Sequence, residues 1–333
     1  MDCGRRQPLP ADQGSGHEPV ARLPQPRRLG IVATRMSSLG KLPITVLIAA
    51  KNEEKNIAHC LSSLGPAERV VVVDSQSQDT TAQLARLAGA ELVQFHYDGG
   101  YPKKRQWALN TLAIHTPWVL LLDADEAVPE PLWHEVARVL SSPNSRVAYF
   151  AKKGFHFLER RFRFGGFSHS AVILFQRGTA RFERLVPDSA QGQDMEIHER
   201  LIVNGSVDTL RTPLIHYDRK NLEAYLDRHN RYSSWEARLR YSYLRSGLWG
   251  EDTIRPKLLG NPQEIRRFLK GLALRMPAEP QLWFAYHYIC RLGFLEGRPG
   301  LIASLLRAHY ISQVRCKMYE LRALHHLEAK PEA

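Results

Sequence analysis

From Pro43 onward the chain alternates short apolar runs with amphipathic stretches. Ile44-Thr-Val-Leu-Ile-Ala49 is a continuous run of strand length, the pattern of a strand buried on both faces. Asn52 then stands as a candidate helix N-cap, with Glu53 and Glu54 in the first turn, an apolar stripe of Ile57, Cys60, Leu61 and Leu64, and Gly65 as a stop. Val70 to Val73 forms a second run ending in Asp74, and a polar turn leads to a helix bearing Leu84 and Leu87 before Gly89. The same rhythm continues through Glu91–Phe95, a helix from about Lys103 to Ile114, and the run Trp118–Leu122, which stops at Asp123-Ala-Asp-Glu126. A further helix carries Leu132, Val136, Val139 and Leu140, and strands are expected near Val147–Ala151 and Ala171–Gln176. Strand and helix in alternation predict an α/β fold over 43–220, built on a largely parallel sheet.

The flanks differ. Residues 1–42 are rich in Pro, Gly, Arg and Gln, lack periodicity, and read as a disordered basic tail; no apolar stretch there suits a secretory signal. Beyond Lys220 helical periodicity dominates, so 221–333 is expected to be a helical C-terminal region. Gln281–Cys290 is strongly apolar and aromatic, but Glu279 and Arg291 bracket it too closely for a membrane span. Residues 301–322 form another candidate helix, with Arg307, Arg315 and Arg322 gathered on one side, a composition that fits either the membrane interface or packing on the α/β region.

Charge sharpens this picture. The net +12 is distributed as +4 over 1–41, +1 over 42–220 and +7 over 221–333, so a near-neutral middle is flanked by basic ends suited to an anionic surface of lipid or nucleic acid. Four scattered cysteines, none in C-x-x-C spacing, indicate neither a disulfide framework nor a zinc ribbon.

In open α/β sheets, ligands bind beyond the carboxyl ends of the strands, which points to Lys51, Asn52, Glu53, Asp74, Asp123 and Asp125. Two aspartates two residues apart at a strand end are expected on one face, a natural site for Mg²⁺ or Mn²⁺ that also takes phosphate oxygens; one of them could instead cap the next helix. No Gly-x-Gly-x-x-Gly and no Walker-type Gly-Lys-Ser/Thr is present, which disfavours a dinucleotide dehydrogenase and a P-loop NTPase. Lys104 and Arg105 either neutralise phosphate or open a solvated helix. Met195–Val203 reads as a strand that would put Glu199 on a face with Ile197, Leu201 and Val203, and Glu196, His198 and Arg200 on the other. A carboxylate on an apolar face is costly unless it has a partner or a task, such as general base. His216 closes the apolar stretch Pro213–Ile215, as a structural histidine or a ligand.

Together, Ala49–Asn56, Val71–Thr80, Lys104–Leu109, Val119–Glu126, Ile197-His-Glu199 and Ile215-His216 resemble the family 2 glycosyltransferases of the GT-A fold, in particular bacterial enzymes of lipopolysaccharide-core and exopolysaccharide assembly. The resemblance covers about 43–240. It implies a GT-A Rossmann-like mixed sheet with helices on both faces, followed by a helical C-terminal extension. It further implies that Asn52, Glu53 and Asp74 line a nucleotide pocket, that Asp123 and Asp125 form the Asp-x-Asp motif, that His216 is a further metal ligand, that Glu199 is the general base, and that Gly165-Gly166 is a glycine loop beneath the donor sugar. Two departures stand out: Ser75-Gln76-Ser77 replaces the common Ser-Gly-Ser, and Phe167-Ser-His-Ser170 follows the glycine loop where a basic or aromatic residue is usual.

The expectation is therefore an inverting, metal-dependent glycosyltransferase with Mg²⁺ or Mn²⁺ as cofactor. Its partners would be a nucleotide-sugar donor, a glycan or lipid-linked acceptor, and a membrane surface at the cytoplasmic leaflet, with no nucleic acid among them. A nucleotidyltransferase that forms sugar nucleotides is the alternative enzyme, disfavoured by the acidic, glycine-free Ala49–Glu54 turn; a non-catalytic membrane-binding module is the alternative without chemistry.

Overall fold

The structure, a computed structural model, describes residues 39–158, 160–185, 194, 196 and 199–328, with side chains to 324. The first strand, β1 (Leu42–Ala50), is followed by α1 (Ile57–Ser62), β2 (Ala67–Asp74), α2 (Thr81–Leu87), β3 (Glu91–Gln94), α3 (Lys104–Thr111) and β4 (Trp118–Asp123). Next come the two-residue β5 (Glu126–Ala127), α4 (Glu130–Leu140), the long β6 (Ala148–Phe157), β7 (Arg160–Arg161), β8 (His169–Gln176), β9 (Ala180–Phe182), β10 (Arg184–Leu185), β11 (Leu201–Val203), β12 (Val207–Thr209) and β13 (Leu214–His216). Then α5 (Leu222–Ser246), β14 (Gly250–Asp252), α6 (Pro262–Ala273), α7 (Glu279–Ala285) and α8 (Gly297–Glu328) complete the chain.

The main sheet runs β3-β2-β1-β4-β8-β6-β13-β5. Its first half is parallel, as the strand–helix alternation predicts, whereas β8 lies antiparallel to both β4 and β6 and makes the sheet mixed. Strand β1 is buried from Ile44 to Ala50 because both faces are covered. Ile44, Val46, Ile48 and Ala50 pack with Ile57, Cys60, Ala85, Leu132, Trp133 and Val136 from α1, α2 and α4, while Leu47 joins Phe95, Ala108, Phe182 and Leu201 on the side of α3. Period-two alternation thus feeds two cores, one per face.

Three expectations change. The tail assigned to 1–42 lies outside the described residues up to 38, but its last part is structured. Leu39 and Leu42 pack on the core, and the Lys41 ammonium donates to the Gly65 and Ala67 carbonyls at 2.9 and 2.7 Å. The α/β region and the helices after Lys220 belong, over the described residues, to one compact unit. And Arg307 packs against the molecule, over Trp283 and Tyr310, while Arg315 meets the buried Glu279 at 3.3 Å with its side chain still 40% exposed.

The C-terminal helices have a core of their own, with Trp235, Leu239, Trp249, Leu274, Ile311 and Val314. A buried ionic cluster ties them together. Arg240 of α5 bonds Glu236 of the same helix and Glu279 of α7 at 2.8 and 2.9 Å, and Tyr310 of α8 donates to Glu236 at 2.6 Å. Burial alone would weaken the Arg240 charge, but the two glutamates overcome it and raise its pKa. Replacing Arg240 by Ala leaves Glu236 with Lys270 and Glu279 with Arg315, so a loss of about 3 kcal/mol is expected in urea unfolding. A loss below 1 kcal/mol would show that water reaches the cluster.

Candidate active site

The site begins where β1 and β2 end. Asn52 does not cap α1; it takes a left-handed conformation (φ 54°), which asparagine tolerates better than most residues. From there its side chain accepts from the Gln78 N–H at 2.9 Å, while its own N–H donates to Ser77 Oγ at 2.8 Å. The two βα turns are thereby locked together. Asp74 is fully buried and accepts from the Ser77 N–H and hydroxyl and from Gln94 Nε2. Gln76, at the middle of Ser75-Gln76-Ser77, occupies the left-handed region (φ 53°) that favours glycine, with its Nε2 2.8 Å from His96 Nδ1.

The aspartates separate at the end of β4. Ala124 between them is buried, and the chain turns at once into β5. Asp123 is held by Arg105 and, at 3.0 Å, by Lys153. Lys153 also reaches Glu126 at 2.6 Å, and Glu126 accepts from the Asp123 N–H at 3.0 Å. Asp125 turns instead to His216, with Oδ2 3.2 Å from Nε2. Burial works against both charges of that pair, yet mutual attraction prevails: the Asp125 pKa falls below the usual carboxylate range and that of His216 rises. Glu53 lies nearby, and burial and then the Asp125 charge raise its pKa despite the Lys220 ammonium at 2.6 Å. Asp123 and Asp125, expected to share one face, thus take different partners, and the regular strand ends at Asp123.

Glu199 is also placed differently from its prediction. The regular strand begins only at Leu201, so alternation does not extend back, and Met195, Ile197 and His198 lie outside the described residues. Glu196 and Glu199 are both buried and face the same cavity. Glu196 accepts from the Arg105 and Gln106 N–H groups at 3.1 and 3.0 Å, satisfying donors at the start of α3, as an acidic group at a helix N-terminus does. Glu199 pairs with Lys103 at 2.6 Å, and the same ammonium sits 4.9 Å from the Trp235 ring. The cavity, about 230 Å³, brings together Asp123, Glu199, Arg105, Lys153, His169 and Arg200, and is closed by Tyr232 of α5 and Gln263 of α6.

Lys103, Lys153, His169, Arg200, Tyr232 and Gln263 were not singled out from the sequence as site residues. For Lys153 a signal existed, the adjacent pair Lys152 and Lys153 interrupting a mostly apolar strand; for Tyr232 and Gln263, on helices, there was none. Gly165 and Gly166 lie elsewhere than the cavity wall. Both have positive φ, Gly165 N–H donates to the Arg291 carbonyl at 2.7 Å, and a Cβ on Gly166 would fall 2.8 Å from the Arg291 side chain. For a divalent ion, Asp125 and His216 form a two-donor pair of suitable chemistry, while Asp123 is engaged by cations; among the described residues no group of three or more His, Cys, Asp or Glu is gathered around one point. Two protein donors suit Mg²⁺ or Mn²⁺, which commonly complete their shell with water and phosphate.

Residues 45–190 match the family model described as Glycosyl transferase family 2. The lipopolysaccharide core biosynthesis glycosyltransferase LpsC of Rhizobium meliloti is 27% identical over 294 residues, 85% of this chain and 94% of that protein. An uncharacterized glycosyltransferase of Rickettsia typhi is 24% identical over 275 residues, 80% of this chain and 82% of its own length. Among solved structures, glucosyl-3-phosphoglycerate synthase from Mycobacterium tuberculosis is 25% identical with a TM-score of 0.27, over 34% of this chain and 44% of that one, less than half of that enzyme's length.

Lys104, expected at the phosphates, is buried; it donates to the Ala50 carbonyl at 2.8 Å, and burial lowers its pKa to about 8, with the Asp194 charge opposing the shift. Because the folded value lies below the ordinary 10.5, the unfolded chain binds more protons between those pH values. The ammonium therefore opposes folding below pH 8, and its penalty fades as pH rises toward 10.5. Lys104→Met is expected to gain roughly 2 kcal/mol at pH 7 after its lost hydrogen bond is discounted, and less at pH 10. Urea unfolding at both pH values measures this, and an equal difference at the two would contradict it.

Proposed function

From a chain that carries a family 2 glycosyltransferase region at residues 45–190, we propose an enzyme that transfers a sugar from a nucleoside-diphosphate donor, a UDP-sugar in the first instance, to a hydroxyl of a glycan or lipid-linked acceptor, with inversion at the anomeric carbon. The observation that carries this reading is the shared cavity of Asp123 and Glu199, which sets a carboxylate base and a cation-rich wall around one space. Glu199 takes the proton of the acceptor hydroxyl; the oxygen bonds to the anomeric carbon as the bond to the diphosphate breaks and its electrons pass to the departing oxygen. Lys103 fixes the Glu199 carboxylate before substrate arrives. Arg105 and Lys153 lie where they can exchange Asp123 for the growing charge on the diphosphate. Asp74, Asn52 and Glu53 brace the turns against which the nucleotide would rest. A divalent ion held by Asp125 and His216, with Asp123 available once it releases a cation, would supply charge neutralisation to the diphosphate. Much of the remaining task is positioning.

The similarity to an LpsC protein supports a product in cell-envelope polysaccharide, with lipopolysaccharide core favoured over exopolysaccharide. A peripheral position on the cytoplasmic leaflet is supported by the surface of the C-terminal region. Leu282, Tyr286, Ile289, Leu292, Phe294 and Leu295 are exposed within one short stretch, beside the exposed Arg291 and Arg298. Apolar side chains bordered by arginines suit an anionic lipid surface. Among the described residues no helix is long and apolar enough to cross a membrane.

Glu199→Gln is expected to cut turnover by at least about a thousandfold while UDP affinity with Mn²⁺ stays nearly unchanged, whereas Asp125→Ala weakens both. Calorimetry with UDP and a donor-hydrolysis assay separate the two effects; a Gln variant with full turnover would reject Glu199 as the base. For the membrane contact, the triple variant Ile289→Glu, Leu292→Glu, Leu295→Glu should leave the pellet when sedimented with vesicles of phosphatidylglycerol. Undiminished sedimentation would place the contact elsewhere.

A further inference from the structure

The glycine pair expected beneath a donor sugar performs a different task. It follows the tip of the connection between β6 and β8, where Leu158-Glu-Arg-Arg-Phe-Arg-Phe164 carries three arginines against one glutamate. This tip is seated on residues 287–296 by hydrogen bonds. Glu296, itself buried, accepts from the Arg163 and Phe164 N–H groups at 2.6 and 2.8 Å and from Arg160 Nε at 2.9 Å. The Gly165 N–H donates to the Arg291 carbonyl, and the Gly165 carbonyl lies 2.6 Å from His287 Nδ1. A Cβ on Gly165 would fall 2.6 Å from the Phe167 ring, which stacks on His287 at 4.5 Å, and one on Gly166 would meet the Arg291 side chain. Glycine at both positions therefore lets the tip approach the helical segment closely enough for these bonds.

What the tip then shows to solvent is apolar and cationic. Leu158 is 48% and Phe164 39% exposed, and Leu292, Phe294 and Leu295 across the join are between 43% and 49% exposed. Leu158 and Leu292 both hold left-handed backbone, φ 48° and 59°, a conformation that leucine keeps only where its surroundings impose it. Arg161 and Arg163 are exposed, and neither has an ion-pair partner among the described residues, whereas Arg160 is spent on Glu296. Their backbone is fixed: Arg161 pairs with His156 of β6, and the Arg163 N–H bonds Glu296. Arginines on a fixed scaffold beside exposed leucine and phenylalanine form a ready contact for a surface that is both anionic and oily.

We propose that the tip at 158–164 is a second element of the membrane contact, in which Arg161 and Arg163 take phosphate oxygens of anionic lipid headgroups while Leu158 and Phe164 enter the acyl boundary beside residues 289–295. This deepens the peripheral-membrane reading and rests on it. A bilayer is the occupant that satisfies both halves of the surface at once. A soluble anion would leave the leucines and phenylalanines in water, and a neutral apolar partner would bury the arginines without counter-ions. Planar, forked guanidinium groups suit phosphate oxygens. The strands that carry the tip also reach the cavity, β6 with Lys153 and β8 with His169, so the lipid contact and the reacting groups stand on one hairpin.

The test is sedimentation of the full chain with vesicles of phosphatidylglycerol and, separately, of phosphatidylcholine. The unchanged protein is expected to partition at least about tenfold more strongly into the anionic vesicles. The double variant Arg161→Gln, Arg163→Gln should lower that partition on the order of thirtyfold and leave the weak binding to phosphatidylcholine as it was. A control that removes the same charge from other exposed positions, Arg86→Gln with Arg146→Gln, should stay within about twofold. Phe164→Ser keeps its backbone bond to Glu296 and should weaken partition several-fold, which carries the test if the double variant does not express. Thermal unfolding of each variant should match that of the unchanged protein, so that loss of contact is not loss of fold. Full partition of the double variant, an equal loss in the control, or equal binding to both vesicles would overturn the proposal. Release of the triple variant Ile289→Glu, Leu292→Glu, Leu295→Glu while the double variant stays bound would keep the membrane reading and remove the tip from it. An unchanged protein that sediments with neither vesicle would sink the membrane reading itself, and the tip with it.

Discussion

Strand Leu214–His216 lies between the long strand Ala148–Phe157 and the two-residue strand Glu126–Ala127, parallel to the first and antiparallel to the second. That pairing sets His216 opposite Glu126 and therefore beside Asp125, and the Tyr217 N–H bonds the Asp125 carbonyl at 3.0 Å. Backbone hydrogen bonds thus fix a side-chain pair whose members are far apart in sequence. If the register slipped by one residue, His216 would turn to the other face of the sheet, since alternate residues point to opposite faces. The ion pair, the position of the Asp125 turn and the contact of the following loop with α1 through Asn56, which donates to Glu53 and Asp218, all depend on that register.

The site is assembled from charges that would be costly to bury singly. Lys103, Lys104, Glu126, Glu196 and Glu199 are all buried. Each is compensated by an opposite charge or by backbone groups, and Asp123 has two cations.

The C-terminal helices are part of this arrangement. Trp235 backs Lys103, Tyr232 and Gln263 close the cavity, and Arg267 holds Glu183. The same helices keep their own ionic cluster around Arg240 and expose apolar side chains between residues 282 and 295. The same helices therefore contribute both to the cavity wall and to the outer surface.

The sequence by itself determined the elements and the residues at their ends. Continuous apolar runs marked β1, β2 and β4 because strands buried on both faces leave no room for polar alternation, and Asp74, Asp123 and Asp125 were legible as the acidic stops of those runs. It did not determine that Asn52 bends left-handed, that Asp123 and Asp125 take different partners, or that Glu196 joins Glu199 in one cavity, because each depends on where an extended segment ends. Nor could it name the partners: Lys103 for Glu199, Lys153 for Asp123 and His216 for Asp125. Periodicity records which face of an element is buried, whereas the partner of a buried charge is chosen by strand order and helix packing across long stretches of chain. Those distances only the tertiary structure closes.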